Sequence, residues 1–141
     1  MKKLVSIVFS VILLISIITP AYAEELDTPV EDPIIEEYQG IRQITSDISI
    51  SGSSATCHGV VNGKSSYSYT MTVYLQKLNG STWSNIISWS ATGSGNLGVS
   101  LTKTKSSLAS GTYRCKVYVC VYDSNNQFVE SATVCSRSSS C

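Results

Sequence analysis

From Thr112 to Tyr122 apolar and polar side chains alternate along the chain. Tyr113, Cys115, Val117, Val119 and Val121 fall on one side of an extended segment. Arg114, Lys116, Tyr118, Cys120 and Tyr122 fall on the other. A helix would scatter both sets around its axis, so this is a strand with one face toward a core and one toward solvent. The same two-residue period recurs from Ile44 onward, and nothing there has a helical period. Strands are expected near 42–51, 55–61, 67–78, 82–91, 97–104, 111–122 and 127–136. Turn-forming clusters such as Ser51-Gly52-Ser53, Asn62-Gly63, Gly93-Ser94-Gly95 and Asp123-Ser124-Asn125-Asn126 separate them. About seven short strands at this spacing predict an all-β fold, an antiparallel two-sheet sandwich.

Leu78-Asn79-Gly80-Ser81 reads as a hairpin with Asn79-Gly80 in a type I′ turn. That turn would pair Gln76 with Trp83, Tyr74 with Asn85, Thr72 with Ile87 and Thr70 with Trp89. Tyr74, Trp83 and Trp89 would then share a face, opposite Tyr69, Met71, Val73, Leu75 and Ile86. Both faces are partly apolar, and a single bulge would exchange them.

The first 23 residues have another logic. Lys2 and Lys3 precede an apolar run from Leu4 to Ile18, and Pro20 leads into Ala21-Tyr22-Ala23. This is the form of a secretory signal peptide cleaved after Ala23, giving a secreted, extracellular protein. The run is short for a membrane span, and no membrane span is expected after cleavage. With no lipid-accepting Cys at the end of the leader and no apolar C-terminal tail, release into the medium is expected. Residues 24–40 read as an acidic flexible arm, 41–136 as the β-sandwich domain and 137–141 as a Ser-rich tail. The arm carries Glu24, Glu25, Asp27, Glu31, Asp32, Glu36 and Glu37 with no base. From Tyr38 onward only Asp47, Asp123 and Glu130 oppose eight Lys and Arg residues, so a neutral chain contains a basic domain.

Export makes the five cysteines disulfide candidates. Cys115 and Cys120 lie five apart and point to opposite faces of their strand, so they belong to different bonds. Cys57 alternates with Ala55, Gly59 and Val61 and can face inward, so a Cys57–Cys115 bridge across the core is one scheme. Cys120–Cys135 or Cys135–Cys141 would then follow, and direct Cys115–Cys135 pairing competes. Cys141 is the candidate for the odd free thiol, capped by a small thiol or joining two copies.

Groups for catalysis are sparse. His58 adjoins Cys57, but strand neighbours point apart, and the acids have no consistent spacing. Spaced clusters for zinc and a glycine-rich phosphate loop are missing. Neither an enzyme nor a cofactor or metal site is expected. Two surfaces are candidates for binding. One is the aromatic row Tyr74, Trp83 and Trp89, suited to sugar rings or a protein anchor, unless both indoles fill the core. The other is the face with Arg114, Lys116, Tyr118 and Tyr122, with Lys103 and Lys105 from a strand nearby, suited to an anionic wall polymer or membrane surface. Nucleic acid is a poor partner for an exported chain of modest charge. The expected function is a secreted, non-enzymatic module binding a cell-surface component (anionic cell-wall polymer or carbohydrate) or a protein. The alternative is a secreted antagonist, a bacteriocin-like toxin or a peptidase inhibitor.

Gly111-Thr112-Tyr113-Arg114-Cys115 resembles the Gly-x-Tyr-x-Cys of immunoglobulin F strands, where the Tyr two before the Cys makes a corner. The resemblance implies an immunoglobulin-like sandwich. It departs from that pattern at the core Trp, since Trp83 follows Cys57 by 26 residues. A second resemblance rests on Ile48-Ser49-Ile50-Ser51-Gly52, Ala55-Thr56-Cys57, Leu75-Gln76-Lys77 with Trp83 and Trp89, Gly111-Thr112-Tyr113-Arg114, and Val129-Glu130-Ser131. Together these resemble a family of small secreted Firmicutes (clostridial) proteins of unknown function, over nearly the whole chain after residue 40. That resemblance implies a leader followed by one compact, immunoglobulin-like β domain in a Gram-positive host, with no assigned activity or site. Cys115, Cys120, Cys135 and Cys141 are additions to that family's pattern.

Overall fold

A computed structural model describes residues 38–141. The leader, and the acidic arm through Glu37, lie outside the described residues. The chain forms β1 (Ile41–Ser51), β2 (Ser54–Gly63), β3 (Ser68–Asn79), β4 (Thr82–Ser94), β5 (Val99–Lys105), β6 (Thr112–Tyr122), β7 (Phe128–Cys135) and β8 (Ser139–Ser140). They make two antiparallel sheets, β1-β2-β5 and β4-β3-β6-β7, with β8 paired to the start of β6. The expected sandwich is present, with an eighth strand. The order is immunoglobulin-like, with the second and sixth strands facing each other across the core. The fourth strand stays on the sheet of the third.

Alternation decides what is buried. Ala55, Cys57 and Val61 of β2, Met71, Val73 and Leu75 of β3, and Cys115, Val117, Val119 and Val121 of β6 are fully buried. Gly59 lets the sheets approach, because a Cβ there would lie 2.9 Å from Val117 and 3.0 Å from Val73. At the foot of β6 the Tyr113 hydroxyl donates to Ala109 O at 2.6 Å. This is the tyrosine corner that the Gly-x-Tyr-x-Cys motif implied.

The ends of the domain differ from expectation. Glu130 accepts hydrogen bonds from Gln39 N at 2.8 Å and Gly40 N at 2.7 Å, so residues expected to close the flexible arm dock on the sandwich. At the other terminus, Cys141 N donates to Gly111 O at 3.0 Å and Gly111 N to Cys141 O at 3.1 Å. Ser139 and Ser140 of the Ser-rich tail therefore form a short strand paired with β6.

The β3–β4 hairpin corrects the predicted register. Asn79 pairs with Thr82 and Leu78 with Trp83, which places Gly80 and Ser81 in the turn. Gly80 has φ +63, whereas Asn79 and Ser81 are not among the residues with positive φ. One positive φ at the first central position belongs to a type II′ turn, which needs glycine only there. Asn79 instead donates its side-chain amide to Ser84 Oγ at 2.9 Å. Farther along, Gln76 pairs with Asn85 but Leu75 with Ile87, so Ile86 is the extra residue of a bulge.

Candidate functional site

That bulge separates the two tryptophans. Before it, Trp83 shares the outer face with Asn85, opposite Leu78 and Gln76. After it, Ile87, Trp89 and Ala91 turn inward beside Leu75, Val73 and Met71 and pack against the core. Trp89 therefore leaves the predicted aromatic row, while Tyr74 and Trp83 stay on the solvent side.

Arg114, Lys116, Tyr118 and Tyr122 occupy that same outer face on β6, each partly exposed. The Arg114 guanidinium lies 4.3 Å from the centroid of the Trp83 ring, and Lys116 Nζ lies 4.9 Å from that of Tyr74. Arg114 Nε donates to Gln76 Oε1 at 2.8 Å, and Gln76 Nε2 donates to Asn85 Oδ1 at 2.8 Å. Gln76 is only 4% exposed despite facing outward, because its neighbours cover it. The resulting Arg114–Gln76–Asn85 chain fixes the guanidinium plane over the indole. Exposed cation–π contacts contribute roughly 0.5–1 kcal/mol, enough to orient both cations without neutralising either.

No side-chain carboxylate among the described residues shares this face. Asp47 is on β1 of the other sheet. Glu130 pairs with inward-facing Val121 and is committed to Gln39 and Gly40. Asp123 closes the β6–β7 turn, its Oδ1 accepting from Asn125 N at 2.9 Å and Gln127 N at 3.0 Å. Lys103 and Lys105, expected nearby, belong to β5 of the opposite sheet. The face thus carries oriented positive charge on an aromatic and hydroxyl-rich surface.

The cysteines fall into three settings. Cys57 and Cys115 are fully buried as facing free thiols that hydrogen-bond each other. That hydrogen bond and burial raise the Cys57 pKa, and the same bond lowers that of Cys115 against desolvation. Cys120 and Cys135 lie on the outer face, opposite Ser131 and Lys116 respectively. Four residues of strand, about 13 Å, separate those rungs, too far for a bond between them. Cys141 sits opposite Gly111, five residues along β6 from the Cys135 rung, about 17 Å, which removes the Cys135–Cys141 scheme. Cys115 and Cys135 project to opposite faces, against the competing scheme. Cys141 is partly buried, and its thiol donates to Ala109 O at 3.3 Å, the carbonyl that also receives Tyr113. It is no dangling thiol.

His58 stands on the outer face of the three-stranded sheet. Its Nδ1 lies 2.6 Å from Thr102 Oγ1, and Asp47 is its partner on β1. Thr56 and Thr104 form the next cross-strand pair at 2.9 Å. These are ladder pairs on an open sheet. Among the described residues, no three His, Cys, Asp or Glu side chains gather as metal ligands.

No family model, curated protein or solved structure matches the chain.

Proposed function

We propose that this chain is an exported, non-enzymatic β-sandwich module that binds an anionic cell-surface polymer through the outer face of β4-β3-β6-β7. The carrying observation is the pair of stacked cations, Arg114 on Trp83 and Lys116 on Tyr74, on a face that no side-chain carboxylate of the described residues shares. Arg114 uses Nε within the chain, and its terminal nitrogens form no hydrogen bond with any described residue. A planar guanidinium held this way suits bidentate contact with phosphate or carboxylate. Cys57 and Cys115 are the proposed core disulfide of the exported form. Their thiols would lose two protons and two electrons to an extracytoplasmic disulfide oxidant, which is reduced to its dithiol, leaving one S–S bond between Cys57 and Cys115.

The test is co-sedimentation with Gram-positive cell walls that retain, or have been stripped of, their phosphate-bearing polymer. The wild-type protein is expected to sediment with the first preparation only. The double variant Arg114→Gln/Lys116→Gln should lose at least tenfold in affinity, about 1.4 kcal/mol, and binding should weaken with salt. Equal sedimentation with both preparations, or an unaffected double variant, would exclude the proposal.

A further inference from the structure

Beyond the cations, the same face ends in a groove that the sequence did not suggest. Ser68, Thr70, Thr92, Ser94, Tyr122 and Asn126 line it, with a volume near 550 Å³. All but Asn126 are outward-facing strand residues, and Asn126 forms a wall from the β6–β7 turn. That turn is rigid: Asn126 N donates to Asp123 O and Asp123 N to Gln127 O, both at 2.9 Å, while Asp123 Oδ1 holds two further amides. Asn126 is held at φ +61. The hydroxyls of Ser68, Thr70, Thr92 and Ser94 make no hydrogen bond with any described residue. Beside them Phe128 is 60% exposed and packs edge-on against Tyr122, with centroids 6.2 Å apart.

Unengaged hydroxyls, an amide and the Tyr122 ring around one groove, with exposed Phe128 packed against Tyr122, match a pyranose, which offers hydroxyls at its rim and C–H groups on its face. An isolated phosphate would find no cation there. We infer that this groove is a saccharide subsite, and that the full ligand is an anionic glycan whose sugar lies here while its charged groups reach Arg114 and Lys116. The inference rests on the proposed function for its anionic half. Thr70 pairs with Cys120 and Tyr74 with Lys116, so four to six residues of strand separate groove from cations, roughly 13–20 Å. An oligomeric ligand spans that distance and a monosaccharide does not.

Two probes separate the halves of the face: an uncharged β-1,4-linked N-acetylglucosamine tetramer, and inorganic polyphosphate, which carries charge without sugar. The groove variant is Thr92→Val/Phe128→Ala, both positions exposed, with native folding checked by near-ultraviolet circular dichroism. The tetramer is expected to bind wild type at millimolar strength, to lose at least tenfold in the groove variant, and to bind Arg114→Gln/Lys116→Gln as well as wild type. Polyphosphate should show the reverse pattern. If the tetramer fails to bind wild type, or binds the groove variant equally, the saccharide subsite is wrong, whatever polyphosphate does. If polyphosphate binding ignores the loss of both cations, the anionic reading fails instead.

Discussion

Alanine at position 98 is expected to destabilise the domain by about 3 kcal/mol or more, combining a disfavoured backbone conformation with overpacking. Gly98 has φ +59, and a Cβ there would lie 1.9 Å from Val61 O and 2.8 Å from Val61 C. Gly93 meets Gly98 in turn, since its own Cβ would lie 1.9 Å from Gly98 O. The end of β2, the end of β4 and the β4–β5 turn are thus packed backbone to backbone, where no flexible side chain can yield. For a domain of this size the melting temperature should fall by roughly 12–24 °C. Gly52→Ala is the control, with φ +56 but nothing within 4 Å. It should cost only about 1–2 kcal/mol. If Gly98→Ala melted within a few degrees of Gly52→Ala, the close approach would not exist.

The second large effect concerns sulfur. Cys57 and Cys115 already touch through a hydrogen bond and are shielded from solvent. Ser46 Oγ and Ser136 N both donate to Cys115 O, at 2.9 and 2.8 Å, which fixes the backbone of that residue. Joining the two thiols closes a long loop, for which chain entropy gives about 4 kcal/mol. The oxidised protein should therefore lose roughly 15–30 °C of melting temperature on reduction. Mass spectrometry of the non-reduced, digested protein should show one Cys57–Cys115 linked pair, with Cys135 open to alkylation in the native fold. Five free thiols in the exported protein, or a melting temperature indifferent to reductant, would count against the bond.

What the sequence makes legible follows from period two. The β6 alternation assigns both its faces, and the two-before-Cys tyrosine marks the corner at Ala109. Cys57 and Cys115 emerge as facing core residues because each sits in an unbroken alternation. The sequence is weaker where geometry depends on one residue. Ile86 is hydrophobic and β-branched like its neighbours, so nothing marks it as the bulge that sends Trp83 outward and Trp89 inward. Asn79-Gly80 suggests a type I′ turn, yet the chain turns one residue later because Gly80 alone supplies the needed positive φ. Gln76 and Asn85 escape notice because their importance lies in the Arg114 contact, set by a shifted register. The groove escapes too, since Ser and Thr on an outer strand face look like ordinary solvated positions until Asn126 walls them in.

The role of the outer sheet face is tested most directly by mapping backbone amide shifts by NMR as the phosphate-bearing wall polymer, released in soluble form, is added to the folded domain. The account predicts changes concentrated at Tyr74, Gln76, Trp83, Arg114, Lys116 and Tyr118, extending toward Tyr122 and Asn126, with β1, β2 and β5 silent. Changes centred on β1-β2-β5, or none at saturating polymer, would contradict it.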